Sequence, residues 1–116
     1  MNTLRNSVQL IGNLGKDIEL KSFDNGTKLA KFSLATNEFY KNSKGEKVQE
    51  TQWHNIVAWG KTAEFMDKSL SKGSEVAIKG KLTHRSYDDK NGVTKYISEI
   101  VAQEFMKITR EEATPF

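Results

Sequence analysis

Val76-Ala77-Ile78-Lys79-Gly80-Lys81-Leu82-Thr83-His84-Arg85-Ser86-Tyr87 alternates between two kinds of side chain. Val76, Ile78, Gly80 and Leu82 share one parity; Ala77, Lys79, Lys81, Thr83, Arg85 and Tyr87 share the other. A period of two is the mark of a β-strand with one face on a core. The same period recurs on either side of this run. Val8, Leu10, Gly12 and Leu14 keep one parity, as do Ala30, Phe32, Leu34 and Thr36. Tyr96, Ser98, Ile100 and Ala102 close the series, each set reading as a core face.

Turn signals separate these runs. Asp24-Asn25-Gly26-Thr27 and Asp88-Asp89-Lys90-Asn91-Gly92 each carry the Asn-Gly pair of a tight hairpin. Lys41-Asn42-Ser43-Lys44-Gly45-Glu46-Lys47 is polar throughout and reads as a long exposed loop. Gly12-Asn13-Leu14-Gly15 breaks the first strand, with glycines suited to a bulge or bend. One segment is helical: Thr62 can N-cap, Ala63, Met66 and Leu70 recur at helical spacing, and Gly73 stands where a C-cap glycine would. Strands, one short helix, then more strands suit an all-β, five-stranded barrel with the helix in the middle connection, since closure removes exposed edges. A small α+β sandwich fits the same order, and pattern alone does not separate the two.

The chain has 116 residues, the size of one domain. Eighteen Lys and Arg against fifteen Asp and Glu leave a net charge of +3. A charge excess this small is most often a solvated surface, so its placement matters more than its sum. Cysteine is absent, which removes disulfides, thiolate zinc sites and Cys nucleophiles. No apolar run approaches the ~18 residues of a membrane span, and no stretch of signal-peptide length opens the chain. The expectation is a soluble protein of the cytoplasm, with no membrane partner.

The odd positions from Val76 to Tyr87 place Lys79, Lys81, Arg85 and Tyr87 on one outward face. Cations for phosphates and a ring for a base are what a single-stranded nucleic acid needs. An ordinary solvated sheet face explains this strand, taken alone, about as well. Around Trp53 the balance shifts. Ile56 and Ala58 suit the core, which sends Trp53 and Trp59 to the outer face with Asn55 and Val57. Large outward aromatics mark a binding surface, although packing beneath a loop or the helix is the commoner fate of a tryptophan. Base–aromatic stacking contributes ~1–3 kcal/mol per base, enough for several rings to outweigh the modest charge. His54 and His84 have no acidic cluster or H-E-x-x-H around them, so no metal site is expected. No nucleophile elbow, P-loop or dinucleotide fingerprint occurs, and neither catalysis nor a cofactor is expected. The end, Arg110-Glu111-Glu112-Ala113-Thr114-Pro115-Phe116, reads either as a frayed tail or as a docking peptide that offers a Phe and carboxylates.

Several pieces, in order, resemble the bacterial single-stranded DNA-binding protein family over roughly residues 4–102. Val8 to Asp17 is similar to the family's V-x-L-[IV]-G-N-L-[GT]-x-D, and Leu34-Ala35-Thr36 to its second-strand signature. Thr51-Gln52-Trp53-His54-Asn55-Ile56-Val57-Ala58-Trp59-Gly60-Lys61 resembles T-x-W-[HI]-x-[VI]-V-x-[FW]-G-[KR], the most specific piece. Leu70 to Leu82 resembles L-x-K-G-[SD]-x-V-x-[IV]-x-G-x-[LI]. The resemblance implies an OB-fold, a five-stranded Greek-key barrel over residues 1–104, followed by a short tail over 105–116. It implies a non-enzymatic homotetramer that coats single-stranded DNA in replication, repair and recombination, associated with the nucleoid.

Residue by residue, the resemblance puts Trp53, Trp59 and Tyr87 at base-stacking positions. Ungapped matching adds Tyr40, whereas strand parity favours Phe39; a bulge would reconcile them. Lys31, Lys61, Lys79, Lys81 and Arg85 are the expected phosphate contacts, with the basic 41–47 loop beside them. Val8, Leu10 and His54 fall where the family builds subunit contacts. Glu111, Glu112, Pro115 and Phe116 resemble its tip for docking replication and repair proteins. Members usually place a long Gly/Gln/Pro-rich linker before that tip; here about a dozen residues follow Ala102, which implies a shorter reach. Two other classes remain beside this one. One is a protein-binding module similar to the primosomal adaptors. The other is an RNA binder of the cold-shock type, since nothing in the sequence reads a 2′-hydroxyl.

Overall fold

The computed structural model describes residues 4–109. Its elements are β1 (Val8–Leu14), β2 (Glu19–Ser22), β3 (Lys28–Lys41), β4 (Lys47–Trp59), α1 (Gly60–Ser69), β5 (Glu75–Asp88) and β6 (Thr94–Ile108). The strands lie in the order β1-β5-β6-β4-β3-β2, and β1 closes the ring by pairing with β3 at Asn13↔Ala35 and Leu14↔Leu34. This is an OB-fold barrel. All pairings are antiparallel except β4 with β6, at Ile56↔Ile100 and Val57↔Val101. Six strands make a five-walled barrel because β1 and β2 are one wall broken after Leu14, where the glycine-containing run predicted a break. β2 then resumes along β3 at Glu19↔Lys31.

Alternation delivers the core. Leu14, Ala30, Phe32, Leu34, Ile56, Ala58, Val76, Ile78, Ile100 and Ala102 fill the barrel, and α1 adds Ala63, Met66 and, just past its end, Leu70. Tyr96 and Ser98 depart from the expected core face: Tyr96 is 83% exposed. Here β5 and β6 have run past the barrel wall as a two-stranded arm, so the inward parity meets nothing until Ile100. β3 and β4 project a second such arm. The pairing of Lys79 with Glu104 and of Gly80 with Ala102 skips Gln103, a bulge that turns Phe105 back against the core. β6 continues beside β5 to Ile108, opposite Glu75.

The helix is capped differently from the expectation. Extended Trp59 takes the N-cap position with no side-chain bond, Gly60 (φ 65°) turns the chain, and Thr62 lies inside the first turn. Leu70 takes the C-cap position, its N–H donating to the Met66 carbonyl at 2.8 Å. Gly73 (φ 89°) belongs to the next turn and donates its N–H to the Leu14 carbonyl at 2.9 Å, tying the helix exit to β1.

The expected long loop at 41–47 is a tight hairpin. Lys41 pairs with Lys47, and the Asn42 side chain accepts from the N–H groups of Lys44 and Glu46 at 2.9 and 3.0 Å. The other two hairpins close alike. Phe23 and Thr27, Asn42 and Glu46, and Asp89 and Val93 are joined by an N–H to carbonyl bond, with the intervening glycine donating back to the first residue. Gly26, Gly45 and Gly92 all have positive φ, the three-residue loop with a glycine bulge.

Candidate nucleic-acid interface

The register gathers the outward parities into one face. Across β3 and β4, Leu29 stands beside Trp59, Lys31 beside Val57, Ser33 beside Asn55 and Ala35 beside Trp53. Val57 meets Val101 on β6, and β5 adds Lys81, Thr83, Arg85 and Tyr87 opposite Val101, Glu99, Ile97 and Lys95. A groove of about 470 Å³ runs over Leu29, Lys31, Val57, Trp59, Thr83, Arg85, Glu99 and Val101. It continues into a hollow that adds Lys16, Asp17, Ser33 and Asn55.

Trp53 is 62% and Trp59 48% exposed, one at each end of the β4 part of this face. Six residues of strand separate them by about 20 Å, so a ligand touching both lies along the groove. The Trp53 ring rests on Gly15, where an added Cβ would stand 2.5 Å from Cζ3. Trp59 is stacked with Phe23, centroids 6.2 Å apart at 23°. Neither Gly15 nor Phe23 was marked as part of the site by sequence pattern. Phe23 sits between two strand runs, where only the adjoining Asp24-Asn25-Gly26 turn hints that it folds back.

Tyr87 is exposed, with the Arg85 guanidinium carbon 5.9 Å from its ring centroid. The pairing of β3 with β4 runs unbroken from Leu29↔Trp59 to Lys41↔Lys47. The bulge that would have put Tyr40 beside Trp53 is therefore absent. Phe39 shares the Trp53 face, with Lys47 4.7 Å over its ring, and Tyr40 turns to the reverse face. Asn37 accepts from Gln49 and Thr51 at 3.2 and 2.7 Å and fixes the arm between Phe39 and Trp53.

The five expected phosphate contacts divide. Lys61 is exposed in the first turn of α1, Lys31 is half-buried in the groove, and Lys81 is exposed beside Val101. Lys79 is exposed opposite Glu104, in a separate depression with Gln9 and Met106. Arg85 differs, because it is held by a carboxylate: Nε donates to Glu99 Oε1 at 2.6 Å and Nη2 to Oε2 at 3.3 Å. The hydrogen bond first, and then the charge of Glu99, push the Arg85 pKa further up, so it stays cationic. The Glu99 side chain is 8% exposed.

His54 is half-buried, its Nε2 2.9 Å from Thr36 Oγ1. Val8 and Leu10 are half-buried against the core, on the part of β1 that pairs with β5 alone. Glu111, Glu112, Pro115 and Phe116 lie outside the described residues. Among the described residues no helix is long and apolar enough to cross a membrane.

The family model described as the single-strand binding protein family matches residues 5–108. Single-stranded DNA-binding protein 1 of Chlorobaculum tepidum is 42% identical over 109 residues, 93% of this chain and 67% of its own length. The single-stranded DNA-binding protein of Bacteroides thetaiotaomicron is 45% identical over 97 residues, 82% of this chain and 60% of its own. The chain thus spans between three-fifths and two-thirds of the length of these relatives. Among solved structures, the Plasmodium falciparum SSB complex with ssDNA superposes with a TM-score of 0.80 at 33% identity, over 90% of this chain and 95% of that one. A deletion mutant of the single-stranded DNA binding protein from Thermus aquaticus gives 0.79 over 90% of this chain and 50% of that one; at 21% identity the likeness is one of fold.

Proposed function

The chain belongs to the single-strand binding protein family, and from that premise we propose that it binds single-stranded DNA without regard to sequence, along the groove described above. The observation that carries this reading is a pair of half-exposed tryptophans on one face of a continuous groove flanked by lysines. Bases stack on Trp53, Trp59, Tyr87 and Phe39, which every base can do because every base has a π-face. Tyr40 is left for the strand's exit over the reverse of the arm. Lys31, Lys61 and Lys81 neutralise phosphates along the groove, and Lys79 one more where the strand passes to the depression beside Gln9 and Met106. Duplex DNA keeps its bases stacked inside and has nothing to offer these rings.

Titration with oligo-dT is expected to quench the tryptophan fluorescence strongly, and titration with duplex DNA to leave it nearly unchanged. Each phosphate neutralised on a single strand lowers the logarithmic salt slope by ~0.7, so four lysines give a slope of about −3. Equal responses to the two DNAs would discard the proposal, and a module that binds protein would then lead. Gly15→Ala is expected to push the Trp53 ring off its seat and weaken oligo-dT binding about fivefold or more, with melting changed little. Unchanged affinity would show that the seat does not matter.

The open edge of β1 with Val8 and Leu10, together with His54, is the surface we assign to further copies, up to a tetramer; a single-chain mass by light scattering would remove that assignment. The role is coating of single strands during replication, repair and recombination in the nucleoid. The Glu111, Glu112, Pro115 and Phe116 tip is assigned to docking proteins of those processes, and unchanged capture of such a protein by a chain ending at residue 109 would refute it.

A further inference from the structure

Glu99 is an oddity on the groove face. It is the one buried charged side chain among the described residues, on a parity that otherwise points outward. A carboxylate taken out of water is strongly disfavoured unless a cation meets it. Arg85 is that cation, set on the diagonal across β5 and β6 by the pairing of Thr83 with Glu99 and of Arg85 with Ile97. The contact is two-pronged through Nε and Nη2. Nη1 and a flat face remain, and the guanidinium lies beside the Tyr87 ring.

We propose that Glu99 is a positioning residue that holds the Arg85 guanidinium, in a pair without net charge, as a stacking platform beside Tyr87, so that Arg85 does not anchor a phosphate. The inference rests on the reading of the groove as a path for single-stranded DNA. A phosphate that drew the guanidinium away would leave Glu99 buried and alone, which opposes the exchange. The pair as a whole adds no net charge, so an approaching phosphate gains little from it. What the pair does offer is a fixed plane, and guanidinium planes accept stacked bases as aromatic rings do. Lys31 and Lys81 supply the charge on either side. The centre of the groove is thus neutral, with Lys81 on one side and Lys31, beside Glu19 of β2, on the other.

The salt dependence of oligo-dT binding separates this role from a merely structural one. In Glu99→Gln the guanidinium keeps a neighbour of the same shape but gains an uncompensated charge. Its logarithmic salt slope is expected to steepen by about 0.7, so that its affinity relative to the parent rises about fivefold between 1 M and 0.1 M salt. The double variant Arg85→Gln/Glu99→Gln is expected to keep the parent slope, because a neutral pair has been exchanged for another. An unchanged slope in Glu99→Gln, or a double variant whose slope is shallower by about 0.7, would overturn the proposal and return Arg85 to the phosphate contacts. If Glu99→Gln does not fold, the double variant decides alone. A parent protein that fails to bind oligo-dT would overturn the proposed function and this inference together; binding with the wrong slopes overturns only this one.

Discussion

Replacing Trp53 and Trp59 together by alanine is expected to lower oligo-dT affinity between about thirtyfold and about twenty-thousandfold while leaving the barrel folded. Each ring contributes ~1–3 kcal/mol per stacked base, so the pair accounts for about 2–6 kcal/mol. A lysine on the groove changes affinity about fivefold per tenfold change in salt, so losing one costs less than losing either ring at moderate ionic strength. The fold tolerates the change because both side chains face outward, 62% and 48% exposed, and stand apart from the core cluster. Far-UV circular dichroism and thermal melting should match the parent, and fluorescence anisotropy of a labelled oligo-dT reads the affinity. A loss of less than threefold would mean that the rings do not meet bases.

The second large effect is on stability. Gly12→Val is expected to destabilise the protein by about 3 kcal/mol or more, against the ~5–15 kcal/mol typical of a domain. A Cβ at Gly12 would stand 2.2 Å from the Ala35 carbonyl oxygen and 2.9 Å from its carbon. Both belong to backbone, which cannot swing aside as the end of a side chain can. The clash falls where β1 meets β3 through Asn13↔Ala35 and Leu14↔Leu34, the pairing that closes the barrel. A drop in melting temperature of about 10–20 °C is expected, and a midpoint within 2 °C of the parent would refute the account. Gly26→Ala is the control. Its φ of 86° strains any other residue, but nothing lies within 4 Å of the new methyl, so only about 1–2 kcal/mol is expected.

How far these features can be read from the chain depends on the distance over which each is decided. Alternation is local. Ile56 and Ala58 announce the inward face of β4, and with it the outward course of Trp53 and Trp59, inside seven residues. The Asn-Gly hairpins are local too. Glu99 is not: its partner is fourteen residues away, and their meeting depends on the register of β5 with β6. Read alone, Arg85 is one more cation on a sheet face. The choice between Phe39 and Tyr40 required knowing that no residue is skipped between β3 and β4, which parity assumes and cannot demonstrate. Gly12 looks like a bend in sequence; the carbonyl that excludes a Cβ belongs to a strand more than twenty residues on. The helix cap went astray because Trp59 serves the groove and the helix start at once, leaving Thr62 no such role.

The two arms end in the same five-residue closure, a turn that depends on its own glycine and on no part of the barrel. Each arm can therefore grow or shrink like an extending ladder. Two residues added to each of its two strands add two rungs, return the closing turn to a hydrogen-bonded pair and leave every rung below in place. An unmatched addition would slip the rails and send Phe39, or Tyr87, to the wrong side. Length of reach is thus a separable trait in this architecture, open to adjustment by paired insertions and deletions while the barrel and its two tryptophans stay as they are.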